Sequence, residues 1–594
     1  MIAFARAWGL RALGGKVFAT SSPRSVDQVT DLPALLLICA IASFVSLCMT
    51  GCVLGVRNDL YFLPIVRALY DQPQFAHDAY IQSLRYYASG PWMLLSGVAR
   101  KADVSILFLV FDYLSRLIAF VGFLLCGDLL RIRSTKDRSL FALLLCATAL
   151  LRGQSLAGDG GIFINYFTHS EVANGLMLVL LYCTIRGLVL PAFLLEGAIF
   201  FDNAFMGVWG AVLVVAVLIG SRGYAGLSAK SWIIQISIGV ICAMALSLPV
   251  VWNILRNPDF GQHLRFDYVH YLELFWPYHF IFRDIPLTDK LDYLCLVIMG
   301  SLAFVTLGRP ARPFFAAFAG LLILYLVGIL VPFLTHAPLL LNLHLLRVSS
   351  IVQILAVLGI CALAVTWWSS SDPIKSDWLA PLLVLLIGVP IRMATIQPAI
   401  MLSAISVVIL LARHPGVGQK LREWFEKIPI PKKGAALTLI VMGMAVVAIY
   451  NTINNAEAQG WIDEWTRLGQ WARSSTPTDA EFLIPTWYFR GQVGRVVAGS
   501  PDDIAVLNAP GFEAEAERRV WIDFRDGAAV MWSPSYYQEW FNRVEQVNSL
   551  SSHEEQLVYA RANGINYVVA VCVNQAKVHA AFSTQHLCAF KVNG

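Results

Sequence analysis

Between residues 32 and 453 the chain is a succession of apolar runs, many of which approach or exceed the roughly 18 residues needed to cross about 30 Å of hydrocarbon. No other feature narrows the possible folds as far. A bilayer offers no water to satisfy backbone N–H and C=O groups, so only helices and closed barrels cross it. The alternating pattern of a barrel strand is absent, which leaves helices. With 57% hydrophobic and 14% charged residues among 594 and a mean hydropathy of +0.64, the chain lies outside the soluble globular range.

Reading the apolar runs predicts helices near 32–55, 104–130, 139–152, 171–187, 189–201, 204–220, 232–254, 291–307, 313–333, 345–368, 378–391, 397–412 and 434–453, about thirteen crossings. Basic residues cluster in the N-terminal arm (1–31), at Arg131 to Arg138, at Arg222 and Lys230, at Arg309 and Arg312, and between 413 and 433. In a thirteen-crossing arrangement all of these fall on one side, which the positive-inside rule makes the cytoplasm. The N-terminus is then inside, read as a retained signal anchor because its apolar stretch is too long for a signal-peptide core. The first long loop (56–103), residues 153–170, 255–290 and 334–344, and everything after 453 are outside.

The tail, 454–594, carries 11 Lys and Arg against 16 Asp and Glu, net −5, leaving +10 on the rest of a chain whose total is +5. That asymmetry predicts a membrane body with a separate external domain. The tail's own pattern predicts a small α/β fold: a helix over 461–473, apolar runs at 481–485 and 495–498, helices near 536–547 and 553–563, and strands at 566–573 and 587–592. Nine of the eleven cysteines, Cys39 to Cys361, lie in or beside apolar segments as small hydrophobes. Only Cys572 and Cys588 remain as a disulfide pair. No repeat or nucleotide, zinc or thiol-redox motif is present, which argues against ATP-driven transport.

The external segments hold the candidate chemistry. Asp59 follows the first apolar segment, where a carboxylate at the membrane boundary suits a general base; a capping aspartate is the plainer alternative. His77, Asp78 and Arg85 lie further along the same loop and suit proton handling or acceptor binding, or an ordinary polar turn. Residues 255–290 mix His270, His279 and other titratable groups with aromatics, suited to sugar faces and hydroxyls or to interfacial anchoring. They include enough His, Asp and Glu for a divalent cation, but no pair has a diagnostic ligand spacing, and no metal ligand is assigned. Arg347, with His344 a turn earlier, stands at the external entrance of a long helix, where a guanidinium holds a phosphate bidentately or merely snorkels. Asp159 lies in an external glycine-rich turn. Seven tryptophans in the tail serve as sugar platforms or, more simply, as core.

The first-loop run Asn58-Asp59-Leu60-Tyr61-Phe62-Leu63-Pro64-Ile65-Val66-Arg67, continuing through Phe75-Ala76-His77-Asp78-Ala79-Tyr80, resembles the first loops of the GT-C superfamily of integral membrane glycosyltransferases, in an uncharacterised bacterial branch. The many helices and the extracytoplasmic tail resemble that superfamily over most of the chain. The resemblance implies transfer of a sugar from a polyprenyl-phosphate donor to a glycan, lipid or protein acceptor at the outer face of the inner membrane, with inversion. It makes Asp59 the base and Arg347 a contact to the donor phosphate. The chain departs from the commoner pattern in having a single acid, Asn58-Asp59, where many members have two. A transporter or flippase for a lipid-linked glycan is the alternative of another class, and a glycan polymerase or ligase a third. Against transport, the suggestive residues cluster outside the apolar runs.

Overall fold

The computed structural model describes residues 32–98, 103–148, 151, 162–220, 229–388, 398–413, 433–486, 501–572 and 579–592. Helices of eight residues or more are α1 (Leu32–Thr50), α2 (Asp59–Val66), α3 (Val104–Leu129), α4 (Thr135–Ala147), α5 (His169–Ile185), α6 (Val189–Asp202), α7 (Ala204–Gly220), α8 (Ala229–Leu255), α9 (Tyr268–Phe275), α10 (Leu287–Leu307), α11 (Arg312–Leu334), α12 (Ser349–Trp368), α13 (Ala380–Gly388), α14 (Pro398–Arg413), α15 (Lys433–Ser475), α16 (Tyr537–Ser549) and α17 (His553–Ala562). Each of the thirteen apolar runs read between 32 and 453 coincides with a helix over most of its described residues. Among the described residues, seven segments are long and apolar enough to cross a membrane, with shorter apolar helices at α5, α7 and Ala399–Arg413. The protein is a membrane-embedded helical bundle carrying a small C-terminal sheet.

Helix α12 is its axis: every residue except Thr366 is buried, as expected of a helix apolar all round. Helix α8 stands at the other extreme, with Ile233, Ile241, Met244, Leu248 and Trp252 exposed where lipid tails would cover them. Lipid is as apolar as leucine, so helices here gain by close packing rather than by hiding apolar surface from water. Accordingly, a Cβ added to Gly175 on α5 would meet the Ala119 backbone nitrogen of α3 at 2.9 Å, and one on Gly300 of α10 would meet Ala356 of α12 at 2.8 Å.

The C-terminal sheet has the order β2-β1-β3-β5-β4, from β1 (Glu481–Leu483), β2 (Arg519–Val520), β3 (Tyr567–Val571), β4 (Phe582–Ser583) and β5 (Leu587–Lys591). Strand β1 pairs in parallel with β2 and β3, while β3, β5 and β4 run antiparallel. Cys572 and Cys588 form a disulfide, Cα atoms 5.7 Å apart, across the β3–β5 end.

Two features depart from the sequence reading. The last apolar run and the helix expected over 461–473 are one continuous 43-residue helix, α15, which passes through the expected boundary at 453. The tail also shares a core with the membrane body: Phe62, Tyr80, Tyr271 and Phe275 pack with Ile522, Phe524, Trp540 and Val568 in one buried cluster. The apolar run at 495–498 lies outside the described residues.

Candidate functional site

A cavity of about 1580 Å³ opens between the bundle and the C-terminal domain. Its walls come from the first loop, the entry to α5, the α6–α7 turn, the loop after α8, the segment before α12, the middle of α15 and a 3₁₀ stretch, Phe524–Met531, of the C-terminal domain.

That 3₁₀ stretch and the residues after it are fastened from several sides. Tyr61 Oη donates to the Arg525 carbonyl at 3.0 Å and Tyr271 Oη to the Gly527 carbonyl at 2.6 Å. Asn342 Nδ2 donates to the Met531 carbonyl at 2.9 Å and Asn257 Nδ2 to the Trp532 carbonyl at 2.5 Å. Trp532 Nε1 donates to the Ser83 carbonyl at 3.1 Å, and Asp259 Oδ2 accepts from Ser533 Oγ at 2.5 Å and Ser535 Oγ at 2.6 Å. The C-terminal domain thereby supplies one wall of the cavity.

The charge on the walls is lopsided. Arg57, Arg347 and Arg525 line the cavity together with His169, His279 and His344, and among the described residues Asp259 is the single acidic one on the lining. Arg525 is neutralised by Asp523, its Nε donating to Oδ1 at 2.9 Å and Nη2 to Oδ2 at 2.5 Å. Arg57 and Arg347 add positive charge to the same wall. Arg347 acts electrostatically on Tyr87, whose phenol burial holds above its usual range and whose anionic form the guanidinium favours.

Arg57 and His344 are two of the five non-glycine residues with positive φ among the described residues, at 49° and 50°. Left-handed backbone costs such residues on the order of 1 kcal/mol or more and collects at ligand sites. His344 is 5% exposed, sits between the Phe205 and Phe280 rings at 4.7 and 4.6 Å, and its Nδ1 has no hydrogen-bond partner among the described residues. Its ring centroid lies 6.5 Å from that of His279.

Asp59 is placed differently from its expected role on an open wall. It opens α2 fully buried, and Oδ2 accepts from the backbone N–H of Gly55 at 2.7 Å and of Val56 at 3.1 Å. Arg57, Asn58 and Tyr61 line the cavity, while Asp59 lies one layer behind them. Burial pushes its carboxyl up to about 7, against the two backbone N–H donors that favour the anion. Oδ1 has no partner among the described residues, which is costly for a buried carboxylate and calls for an explanation.

The remaining candidates separate cleanly. His279, His344 and Arg347 are brought together on the cavity wall. His77 is exposed, Asp78 caps the Ala79–Ser83 helix by accepting from Ile81 N at 2.9 Å, and Arg85 pairs with Asp71 at 3.0 Å, all off the cavity. His270 is exposed at 3.9 Å from Glu273 and also off the cavity. Asp159 lies outside the described residues. Among the described residues no three His, Cys, Asp or Glu side chains gather as a metal-binding group, so the divalent cation raised by the sequence has no ligand set there.

Sequence reasoning missed a second ionisable centre, inside the bundle below the cavity floor. On α3, Arg116 Nε donates to Asp112 Oδ1 at 2.9 Å and Nη2 to Oδ2 at 3.3 Å, and Nη2 also reaches the Ile164 carbonyl at 2.5 Å. Glu171 of α5 accepts from Ile164 N at 3.0 Å and from Ser115 Oγ at 3.3 Å. All three charged side chains are at most 2% exposed. The signal was an Asp and an Arg four residues apart in an apolar run, a pairing that helical spacing makes face to face. This corrects the reading that the suggestive residues cluster outside the apolar segments.

No protein-family model matches the chain, and no curated protein sequence matches it.

Proposed function

We propose that the protein is a GT-C-type glycosyltransferase of a bacterial inner membrane, transferring sugar from a polyprenyl-phosphate donor on the periplasmic face. The observation that carries this reading is the cavity: large, aromatic and amide-lined, set at the edge of the apolar bundle, and lined among the described residues by three arginines and three histidines against one acid. Such a wall attracts a phosphate, and a bundle edge accepts a polyprenyl chain. Arg347 grips the donor phosphate beside His344, and Arg57 attracts it from the first loop. The N-terminus is cytoplasmic, the bundle crosses about thirteen times, and the first loop and C-terminal domain lie outside.

Asp59 is the general base in this reading. A carboxyl near 7 suits proton abstraction at neutral pH. Its Oδ2 is anchored by the backbone of residues 55 and 56, and Oδ1 receives the acceptor proton once the strained cover of Arg57 and Asn58 shifts.

Transport of a lipid-linked glycan is the second reading. The Asp112–Arg116–Glu171 centre favours it, because ionisable groups inside a bundle mark ion and substrate paths in transporters. The test is to incubate the purified protein in lipid with a panel of polyprenyl-phosphate sugars, scoring donor turnover and donor binding separately. Turnover supports the transferase; saturable binding with no turnover across the panel, and with acceptors supplied, shifts the assignment to transport.

A further inference from the structure

Between the end of α1 and the start of α2, residues 51–58 carry no helix or strand, and Gly51, Gly55 and Arg57 take left-handed backbone at φ 74°, 91° and 49°. Such a segment does not hold one shape by its own propensity. Asp59 nevertheless depends on it, since its Oδ2 is anchored on the N–H groups of Gly55 and Val56. What fixes the carboxylate is therefore whatever fixes this turn from outside.

The fixing runs through residues 164 and 165. Val53 N donates to the Asn165 carbonyl at 2.7 Å. The Asn165 side chain donates from Nδ2 to Asn455 Oδ1 of α15 at 3.0 Å, and Asn455 Nδ2 donates in turn to the Thr50 carbonyl at the end of α1 at 2.7 Å. Asn165 thus holds the turn twice, directly at Val53 and through α15 at Thr50. The fit is close: a Cβ added to Gly51 would run into Asn455 Nδ2, and one added to Gly55 would meet Ile462 of α15 at 3.3 Å. Asn165 is itself fixed through its neighbour. The Ile164 carbonyl accepts from Arg116 Nη2 at 2.5 Å, and Ile164 N donates to Glu171 Oε1 at 3.0 Å. The buried centre on α3 and α5 thereby grips both backbone polar groups of Ile164, while none of Asp112, Arg116 and Glu171 lines the cavity.

We propose that Asn165 is a positioning residue for Asp59, carrying the rigidity of the Asp112–Arg116–Glu171 centre and of α15 to the turn that presents the carboxylate. The inference rests on the reading of Asp59 as the general base and deepens it. It also gives the buried centre a part other than transport, as the anchor behind the cavity floor.

The experiment uses the full chain in nanodiscs and Asn165→Ala, which removes the side-chain bond to α15 and leaves the backbone carbonyl. With the polyprenyl-phosphate sugar that the wild type turns over, kcat falls by about tenfold to a hundredfold, the cost of a misplaced reacting group, and KM for the donor is unchanged. The titration of Asp59 is read separately, from the infrared C=O band of its protonated form, assigned by difference against Asp59→Asn. Its midpoint lies at about 7 in the wild type and moves toward acid in Asn165→Ala, because burial is the larger influence on that carboxyl and a loosened turn admits water. Asn455→Ala cuts the same bond from α15 and shifts the midpoint in the same direction, and the double variant moves it no further than Asn455→Ala alone. Wild-type midpoint and kcat in both single variants, a lower melting temperature with the midpoint unmoved, or failure of both to fold overturns the positioning role. If the wild type turns over no polyprenyl-phosphate sugar, the reading of Asp59 as base falls instead, and the infrared midpoint still decides whether Asn165 holds it.

Discussion

Two buried carboxylates flank the cavity floor, and they are treated in opposite ways. Asp112 is clasped by both arms of Arg116, so its oxygens are occupied and its charge is balanced. Asp59 is held differently: two backbone N–H groups hold one of its oxygens, and the other has no partner among the described residues. A fully paired buried centre fixes structure, because removing any member strands a charge. A half-satisfied one costs stability in the resting state and is retained for what its open position does. The same contrast separates the clasped loop at Ile164 from the strained wall at Arg57 and His344.

The contrast breaks first at Arg116. Arg116→Ala leaves Asp112 and Glu171 facing each other in the bundle, and truncating one partner of a buried pair costs about 3–5 kcal/mol. The expected outcome is loss of the folded, detergent-stable protein in size-exclusion chromatography; a variant that folds normally would erase the distinction between the two centres. Asp59→Asn should act in the opposite sense. Donor turnover falls by about 10²–10⁴, the usual contribution of a general base, while thermal stability rises. The sign follows from protonation: burial raises the folded carboxyl to about 7, above its ordinary value of 3.8, so stability is lost as pH rises between those values and the neutral Asn avoids the loss. The gain should be visible in melting curves at pH 8 and absent at pH 4.

Smaller effects sharpen the comparison. Arg347→Ala should weaken polyprenyl monophosphate binding by about 10- to 100-fold, since hydrogen bonds to charged groups contribute about 1.5–3 kcal/mol, with the melting temperature nearly unchanged. Glu171→Gln should be the mildest change. The amide oxygen still accepts from Ile164 N. Turnover within about twofold and near-native melting check this; a collapse like that of Arg116→Ala would show instead that the centre needs both negative charges.

The joint between the first loop and the C-terminal domain carries its own pH dependence. Burial raises Asp78 to about 6 and holds Glu513 and Asp526 well above the usual carboxylate range, and these three acids act on one another. Acids raised in the folded state weaken it as they ionise, so docking should loosen as pH climbs from about 4 through 6 and beyond. Hydrogen exchange at residues 524–531, measured across that range and corrected for intrinsic rates, should quicken more than at α12.

Much of the bundle was legible because a membrane solvent makes apolar run length nearly sufficient: all thirteen expected runs are helical, and the lone pair of tail cysteines is bonded. The run lengths do not reveal that α15 continues unbroken for 43 residues, since its polar second half is stabilised by packing against the C-terminal domain rather than by lipid. At the site, Arg347, His344 and His279 were visible as polar residues at the ends of apolar runs. The packing of Trp532 on Tyr61 and Tyr87 was not, because Trp532 lies more than 400 residues further along the chain and each ring alone reads as an interfacial aromatic. Asp59 was visible as an acid at a helix boundary, but its turn back onto Gly55 and Val56 depends on the left-handed backbone at Arg57, which an arginine codon does not announce.

The central claim is that the cavity holds a lipid-linked sugar phosphate, and the direct measurement is a cryo-EM map of the protein in nanodiscs with a hydrolysis-resistant polyprenyl-phosphate hexose. The account predicts phosphate density at Arg347 and His344, the sugar inside the cavity, and the lipid chain leaving toward the bilayer. Ligand density elsewhere on the bundle, with the cavity empty or filled only by bulk lipid, would contradict it.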